Sequence, residues 1–147
     1  MSNQSKSAAR LYAVQALFQM EAADQTIDDV RDQFVDHRFG AVIEGEEYAE
    51  GDIELFEALL NKALRTQAKI DQLTDAALVD KWPIERIDPT LRAIFRASCA
   101  EILIGKTPAK VIISEFIDVA KAFFPEGKEP QFVNAVLDHI VKNRDAG

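Results

Sequence analysis

Several features are scarce or missing in this sequence, and each absence excludes a class of protein. The chain of 147 residues has one cysteine, Cys99, so it has neither an intrachain disulfide nor a cysteine-based zinc site. It contains no apolar run of about 18 residues, the length that spans a bilayer. The polar stretch Met1–Arg10 lacks the apolar middle of a signal peptide. We therefore expect a soluble cytoplasmic protein that forms a single domain over residues 1–147.

The motifs of catalysis and of metal binding are also missing. His37 and His139 are far apart and form no HExxH pair, and there is no glycine-rich phosphate loop or GxSxG motif. Cys99 lies among apolar residues, where a small core residue is a better interpretation than a nucleophile. The acidic stretch 41–52 lacks the spacing of a calcium loop. We predict a non-enzymatic protein with no cofactor and no metal.

The negative charge is concentrated in one segment of the chain. The formal net charge is −8, but residues 21–57 carry thirteen acids against Arg31 and Arg38. Residues 1–20 carry only the bases Lys6 and Arg10, and residues 58–147 hold thirteen bases and twelve acids. An anionic ligand can therefore bind outside the acidic segment despite the overall charge.

Helical periodicity and helix-end residues predict an all-α protein with about seven helices. Ser5 or Ser7 is expected to cap a first helix that ends near Ala23, and Thr26 a short second one. Asp88–Pro89 and Thr107–Pro108 each predict the start of a helix, and Gly105 predicts a helix end. We also expect a break in the helical pattern near residues 66–69 and an interruption at Trp82–Pro83. No segment shows the alternation of a strand.

Residues 89–104 are apolar or small on most sides, which is typical of a buried helix. We place this helix at the centre of the fold. Arg92 and Arg96 lie at one border of its main apolar face, and Glu101 lies at the other.

The segment Phe132–Asp138 belongs to an amphipathic helix with Asn134 at the edge of its apolar stripe. A buried amide without hydrogen bonds costs roughly 1 to 3 kcal/mol, so Asn134 either finds partners within the fold or faces a ligand. The sequence leaves both alternatives open.

The candidate ligand-binding residues are basic or polar side chains near the two ends of the chain. Lys6 and Arg10 form an i, i+4 pair that we expect to project from the first helix. Ser114, Asp118 and Lys121 form a polar strip on another helix, which a surface Asp118–Lys121 ion pair explains as well as a ligand does. With Lys128 and Asn134, these bases converge only if the first helix packs against the last two.

The sequence resembles the NusB family of bacterial antitermination factors over nearly its whole length. The resemblance rests on these residues and segments: Arg10, Ala13, residues 15–18, Trp82, residues 85–87, residues 92–96, Glu101, Pro108, Val111, Glu115, Ala120, Lys121 and residues 132–138. The combination is specific although each part alone is weak.

The resemblance implies an all-α fold of two three-helix bundles packed roughly at right angles. It also implies binding of single-stranded boxA RNA together with the ribosomal protein NusE, within an RNA polymerase antitermination complex that supports ribosomal RNA transcription. We expect Lys6, Arg10, Lys121, Lys128 and Asn134 to contact RNA, and Phe18 and Arg92 to contact the partner. A homodimer of the free protein is left open.

The sequence also departs from the family pattern. An arginine-rich start is reduced to Lys6 and Arg10, which predicts weaker RNA affinity and a greater need for the partner. Phe18 replaces a usual tyrosine, and Ala135 a usual glycine. Two alternatives are an accessory domain of an RNA-methylating system and a helical module that binds proteins only.

Overall fold

The computed structural model describes the backbone of residues 3–34, 50–78 and 87–146, and the side chains of slightly shorter ranges. In these ranges the secondary structure consists of helices, so the predicted all-α class is confirmed. The seven described helices are α1 (Asn3–Ala23), α2 (Ile27–Phe34), α3 (Glu50–Arg65), α4 (Gln67–Leu78), α5 (Pro89–Ile104), α6 (Ala109–Phe123) and α7 (Glu129–Ala146). His37, most of the acidic stretch and Trp82–Pro83 lie outside the described residues.

Three predicted helix ends are confirmed by their capping hydrogen bonds. The Asp88 carboxylate accepts from the Thr90 amide at 2.7 Å, with Pro89 in the first turn of α5. Thr26 Oγ1 accepts from the Asp29 amide at 3.3 Å at the start of α2. Gly105 ends α5 with a φ of 77°, a left-handed conformation that glycine adopts without steric cost.

Two other predicted caps are wrong. α1 already begins at Asn3, so Ser5 and Ser7 lie inside the helix. The N-cap position of α6 is occupied by Pro108 rather than Thr107, and no side chain makes a capping hydrogen bond there. In both places a polar residue near a helix start predicted the helix correctly but not its first residue.

Helix α5 lies at the centre of the described fold, as its composition predicts. It packs against α1, α3, α4, α6 and α7. Its residues 93–95 and 97–102 are all buried, and Cys99 is among them, as expected for a core residue. The ring of Phe95 meets the ring of Phe132 on α7 edge to face, with centroids 5.9 Å apart.

The first and last helices both pack against α5. α1 packs along α3 and α5 and also contacts α2 and α6, while α6 packs along α7. Residues 124–128 connect α6 to α7, and such a short connection makes the two helices antiparallel neighbours. None of the described helices combines the length and the hydropathy that crossing a membrane requires.

Candidate nucleic-acid interface

A groove of about 440 Å³ runs between the two antiparallel helices α6 and α7. We call it the α6–α7 groove. It brings Lys121 and Asn134, two residues predicted to bind RNA, to the same surface feature. Its lining consists of Lys110, Ile113, Ser114, Ile117, Asp118, Lys121, Asn134 and Asp138.

Three polar side chains of this groove are free to meet a ligand. Asp118, Lys121 and Asn134 are all exposed, and none makes a hydrogen bond or ion pair with another residue of the described ranges. The proposed Asp118–Lys121 surface pair is therefore not formed. The structure therefore decides between the two alternatives for Asn134. Its amide is turned outward and is not satisfied by hydrogen bonds within the described part of the fold.

A second, smaller groove of about 230 Å³ lies between α1 and α6. Ser7, Ala8 and Leu11 line it from α1, and Asp118 belongs to both grooves. Lys6 precedes Ser7 on α1 and is exposed, but it does not line this groove. Lys128 is exposed in the turn before α7, outside the lining of the α6–α7 groove.

Arg10 does not project from α1 as we expected from its spacing to Lys6. Its side chain is only 3% exposed, and its Nε and Nη2 each donate at 2.8 Å to a different carboxylate oxygen of Glu101. Its Nη1 donates to Glu115 at 2.8 Å. Three of the five N–H groups of the guanidinium donate to these carboxylates and the side chain is buried, so Arg10 is a structural residue in this conformation and is not presented to a phosphate.

The electrostatics of this cluster favour the charged form of Arg10. Burial lowers the pKa of Arg10, but the hydrogen bonds and charge of Glu101, together with the charge of Glu115, raise it above its usual value. The hydroxyl of Ser7 donates to Glu115, at 2.9 and 3.0 Å from its two oxygens. The cluster thus fixes the start of α1 against α5 and α6, beside the α1–α6 groove.

A third groove, of about 330 Å³, opens beside Phe18 on α1. We call it the aromatic groove. Phe18 is 39% exposed, which is unusual for a side chain of this size. The lining residues are Gln15, Phe18, Gln19, Ala22, Ala23, Phe34, Thr90 and Phe123. Three phenylalanines and two alanines give this surface the apolar character of a protein-binding site.

Arg92, the other residue predicted to bind the partner, is mostly covered. Its Nε donates to Glu21 at 3.1 Å, and Arg96 donates to both carboxylate oxygens of Asp71, at 3.1 and 2.9 Å. Glu21 also lies 3.6 Å from Arg96 Nη1, so it links both arginines. These ion pairs join α1 and α4 to α5. Arg92 does not line the aromatic groove, but its partner Glu21 directly precedes the lining residues Ala22 and Ala23.

Sequence reasoning missed Lys110, which lines the α6–α7 groove beside Ile113. The spacing of residues 110, 114, 118 and 121 places Lys110 on the same helix face as the polar strip, so the signal was present. Glu115 contributed only to the resemblance, and Glu101 was placed at a border of the apolar face of residues 89–104 without a partner. Their pairing with Arg10 spans 91 and 105 positions, and no local pattern indicates it.

Comparisons of this chain with known proteins by sequence and by structure identify the same relatives. The NusB family profile matches residues 7–142. The chain belongs to the NusB family. The transcription antitermination protein NusB of Maricaulis maris is 47% identical over 138 residues, which cover 93% of this chain and 86% of that protein. The NusB of Sphingopyxis alaskensis is 43% identical, covering 95% and 94%.

Solved structures of NusB share the fold. T. maritima NusB superposes with a TM-score of 0.74 at 26% identity, covering 93% of this chain and 90% of that one. A crystal structure of antitermination factors NusB and NusE in complex with dsRNA includes a chain that superposes with a TM-score of 0.79. That chain is 22% identical, and the match covers 97% of this chain and 99% of that one. The predicted resemblance to NusB is confirmed, and with it the prediction of a non-enzymatic protein.

Proposed function

We propose that this chain is a transcription antitermination factor that binds RNA and a NusE-type ribosomal protein on two different surfaces. The NusB relatives that are 43–47% identical over more than nine tenths of the chain carry the name transcription antitermination protein. In the related crystal structure, NusB is assembled with NusE and with dsRNA. Both ligands of the proposal therefore have a precedent within the family.

The RNA surface is assigned to the α6–α7 groove and its margins. The observation that carries this assignment is that Lys121 and Asn134 line one groove with no partner among the described residues. Lysine ammonium groups bind phosphates, and an amide can read the edge of an unstacked base. Lys128 and Lys6 extend the surface toward the turn and toward α1. Arg10 contributes indirectly, because its ion pairs fix the start of α1.

The partner surface is assigned to the aromatic groove. An exposed Phe18 within an apolar concavity is the type of anchor that contributes most to a protein–protein interface. Arg92 contributes indirectly, through its ion pair with Glu21, which directly precedes the lining residues Ala22 and Ala23. The groove lies on another part of α1 from the residues that line the α1–α6 groove, so RNA and the partner can bind together.

A titration with single-stranded boxA-like RNA tests the proposal. The RNA is added with and without the NusE-type partner, at several salt concentrations, to the wild type and to Lys121→Ala. If Lys121 contacts a phosphate, the variant binds more weakly and its salt slope falls by about 0.7. Lys69→Ala is the matched control, since Lys69 is an exposed lysine on α4 that lines none of these grooves.

Absence of wild-type binding under all these conditions would contradict the RNA function. Equal effects of Lys121→Ala and Lys69→Ala on RNA affinity would indicate that RNA binds to another surface of the protein. The same titration with a duplex distinguishes the single-stranded preference expected from the sequence from the dsRNA seen with the related NusB.

The proposal has further parts that follow from a role in transcription. The protein and its partner act within an RNA polymerase complex, in the cytoplasm, and residues 1–147 act as one domain. Sedimentation over a range of protein concentrations tests whether the free protein forms a homodimer. The alternative role as an accessory domain in RNA methylation has no observation in its favour.

A further inference from the structure

The charge of the α6–α7 groove differs from that of a simple phosphate site. Two lysines, Lys110 and Lys121, are matched by two aspartates, Asp118 and Asp138. A cleft that held only phosphates would carry an excess of positive charge, because each nearby carboxylate repels the anion. Asp138 is compensated by Lys142, whose Nζ lies 3.0 Å away. Asp118 has no such cation among the described residues.

A free carboxylate in an RNA-binding groove is an acceptor for the donor groups of RNA. Among these donors are the exocyclic amino groups of the nucleobases, which carry base identity. Carboxylates pair with the N4 amine of cytosine, and asparagine with the amine and ring nitrogen of adenine. Uracil has no exocyclic amine, and its single N3–H donor lies between two carbonyl oxygens that repel a carboxylate, so a carboxylate favours the amine of cytosine over uracil.

The shape of the groove also fits a base. The half-buried side chains of Ile113 and Ile117 give it an apolar wall, and polar groups surround that wall. Its volume of about 440 Å³ lies in the range of small-ligand sites, which combine an apolar lining with a few polar groups. A planar base can lie against the isoleucines while its edge meets Asp118 and Asn134.

We propose that the α6–α7 groove holds one unstacked nucleobase and selects a base with an exocyclic amine over uracil. Asp118 accepts from the amine, and the Asn134 amide, a donor and an acceptor, pairs with the neighbouring edge atoms. Lys110 and Lys121 bind the phosphates on either side. This inference rests on the proposed RNA function and adds a base preference to it.

The test compares two RNAs of equal length, oligocytidylate and oligouridylate, in the presence of the NusE-type partner. Fluorescence anisotropy gives the ratio of the two affinities for each protein variant. We expect the wild type to prefer oligocytidylate by about tenfold or more, the discrimination of a good base contact. In Asp118→Asn this ratio falls toward one, since an amide both accepts and donates. Asn134→Ala weakens binding of oligocytidylate more than of oligouridylate.

The matched control is Glu126→Gln, which removes one exposed carboxylate from the α6–α7 turn without altering the groove lining. It should change both affinities by the same factor and leave their ratio unchanged. A wild type that binds both RNAs equally, or an Asp118→Asn variant that keeps the wild-type ratio, would overturn the base preference while leaving RNA binding intact. Failure of the wild type to bind either RNA would instead overturn the proposed function itself.

Discussion

Arg10 of α1 and Glu101 of α5 form a bidentate ion pair inside the core, where the two side chains are 3% and 2% exposed. The arginine was expected at the surface, as half of a basic pair with Lys6. In this position Arg10 joins α1 to α5 and α6 and is not presented at the surface.

The first prediction concerns the buried ion pair. Replacing Arg10 by methionine leaves the carboxylate of Glu101 buried without its main partner, so we expect a loss of about 3 to 5 kcal/mol in the free energy of unfolding. Urea denaturation measures it. Lys6→Met, four residues away and exposed, should change stability by less than about 0.5 kcal/mol. A double variant Arg10→Met, Glu101→Leu should regain most of the loss, and equal stability of Arg10→Met and wild type would contradict the pair's structural role.

The second concerns the end of α5. Gly105 has a φ of 77°, and a Cβ added there would meet no atom within 4 Å. The cost of Gly105→Ala therefore comes from the backbone alone and should be about 1 to 2 kcal/mol of unfolding free energy. Gly105→Asn should cost less, since asparagine tolerates the left-handed conformation better. Thermal unfolding of the two variants checks the order, and a stability of Gly105→Ala above that of Gly105→Asn would disprove it.

The third concerns the aromatic groove. Truncating Phe18 to alanine should weaken binding of the NusE-type partner by about thirtyfold, the effect of a roughly 2 kcal/mol interface anchor. The fold should be little affected, because Phe18 is 39% exposed. Leu64→Ala is the control, since Leu64 is 36% exposed on α3 and does not line the groove. Isothermal titration calorimetry measures both affinities, and similar values for the two variants would place the partner elsewhere.

The fourth concerns stability at alkaline pH. Burial raises the pKa of Cys99 from its usual 9.0 to about 12, while hydrogen bonds from Thr74 and Ser98 act against burial. Above pH 9 the unfolded chain loses this proton and the folded chain keeps it, so stability falls with rising pH between these two values. From pH 7 to pH 10 the wild type should lose about 1.4 kcal/mol more than Cys99→Ala. Parallel urea curves at both pH values test this, and identical losses in the two proteins would refute it.

The helices were predictable from sequence because their signals are local. Asp88–Pro89 and Gly105 fix the two ends of α5 through contacts within four residues, and the predicted range 89–104 is the observed one. The buried character of α5 also follows from its composition. What sequence reasoning could not give is the set of contacts between distant helices, because helical periodicity says which face is apolar and not which helix covers it.

In the candidate site, too, features within one helix could be predicted from the sequence and contacts between helices could not. The polar strip Ser114, Asp118 and Lys121 was visible at helical spacing, and Asn134 was recognised at the edge of its stripe. Their meeting in one groove depends on the packing of α6 against α7. The exposure of Arg10 was predicted wrongly, since an i, i+4 pair of bases predicts a shared face but not whether carboxylates from other helices cover one of them.

The pairing of Arg10 with Glu101 also sets an order of events during protein synthesis. Arg10 leaves the ribosome 91 residues before Glu101 does. For most of translation its guanidinium is therefore hydrated and is not paired with the carboxylate of Glu101. The apolar side of α1 likewise cannot pack against α5 until α5 has been synthesised, and Glu115 is synthesised later than α5. The native ion pairs of Arg10 therefore become available only after Glu101 and Glu115 have been made, and a nascent chain halted within α5 would still lack the carboxylate of Glu115.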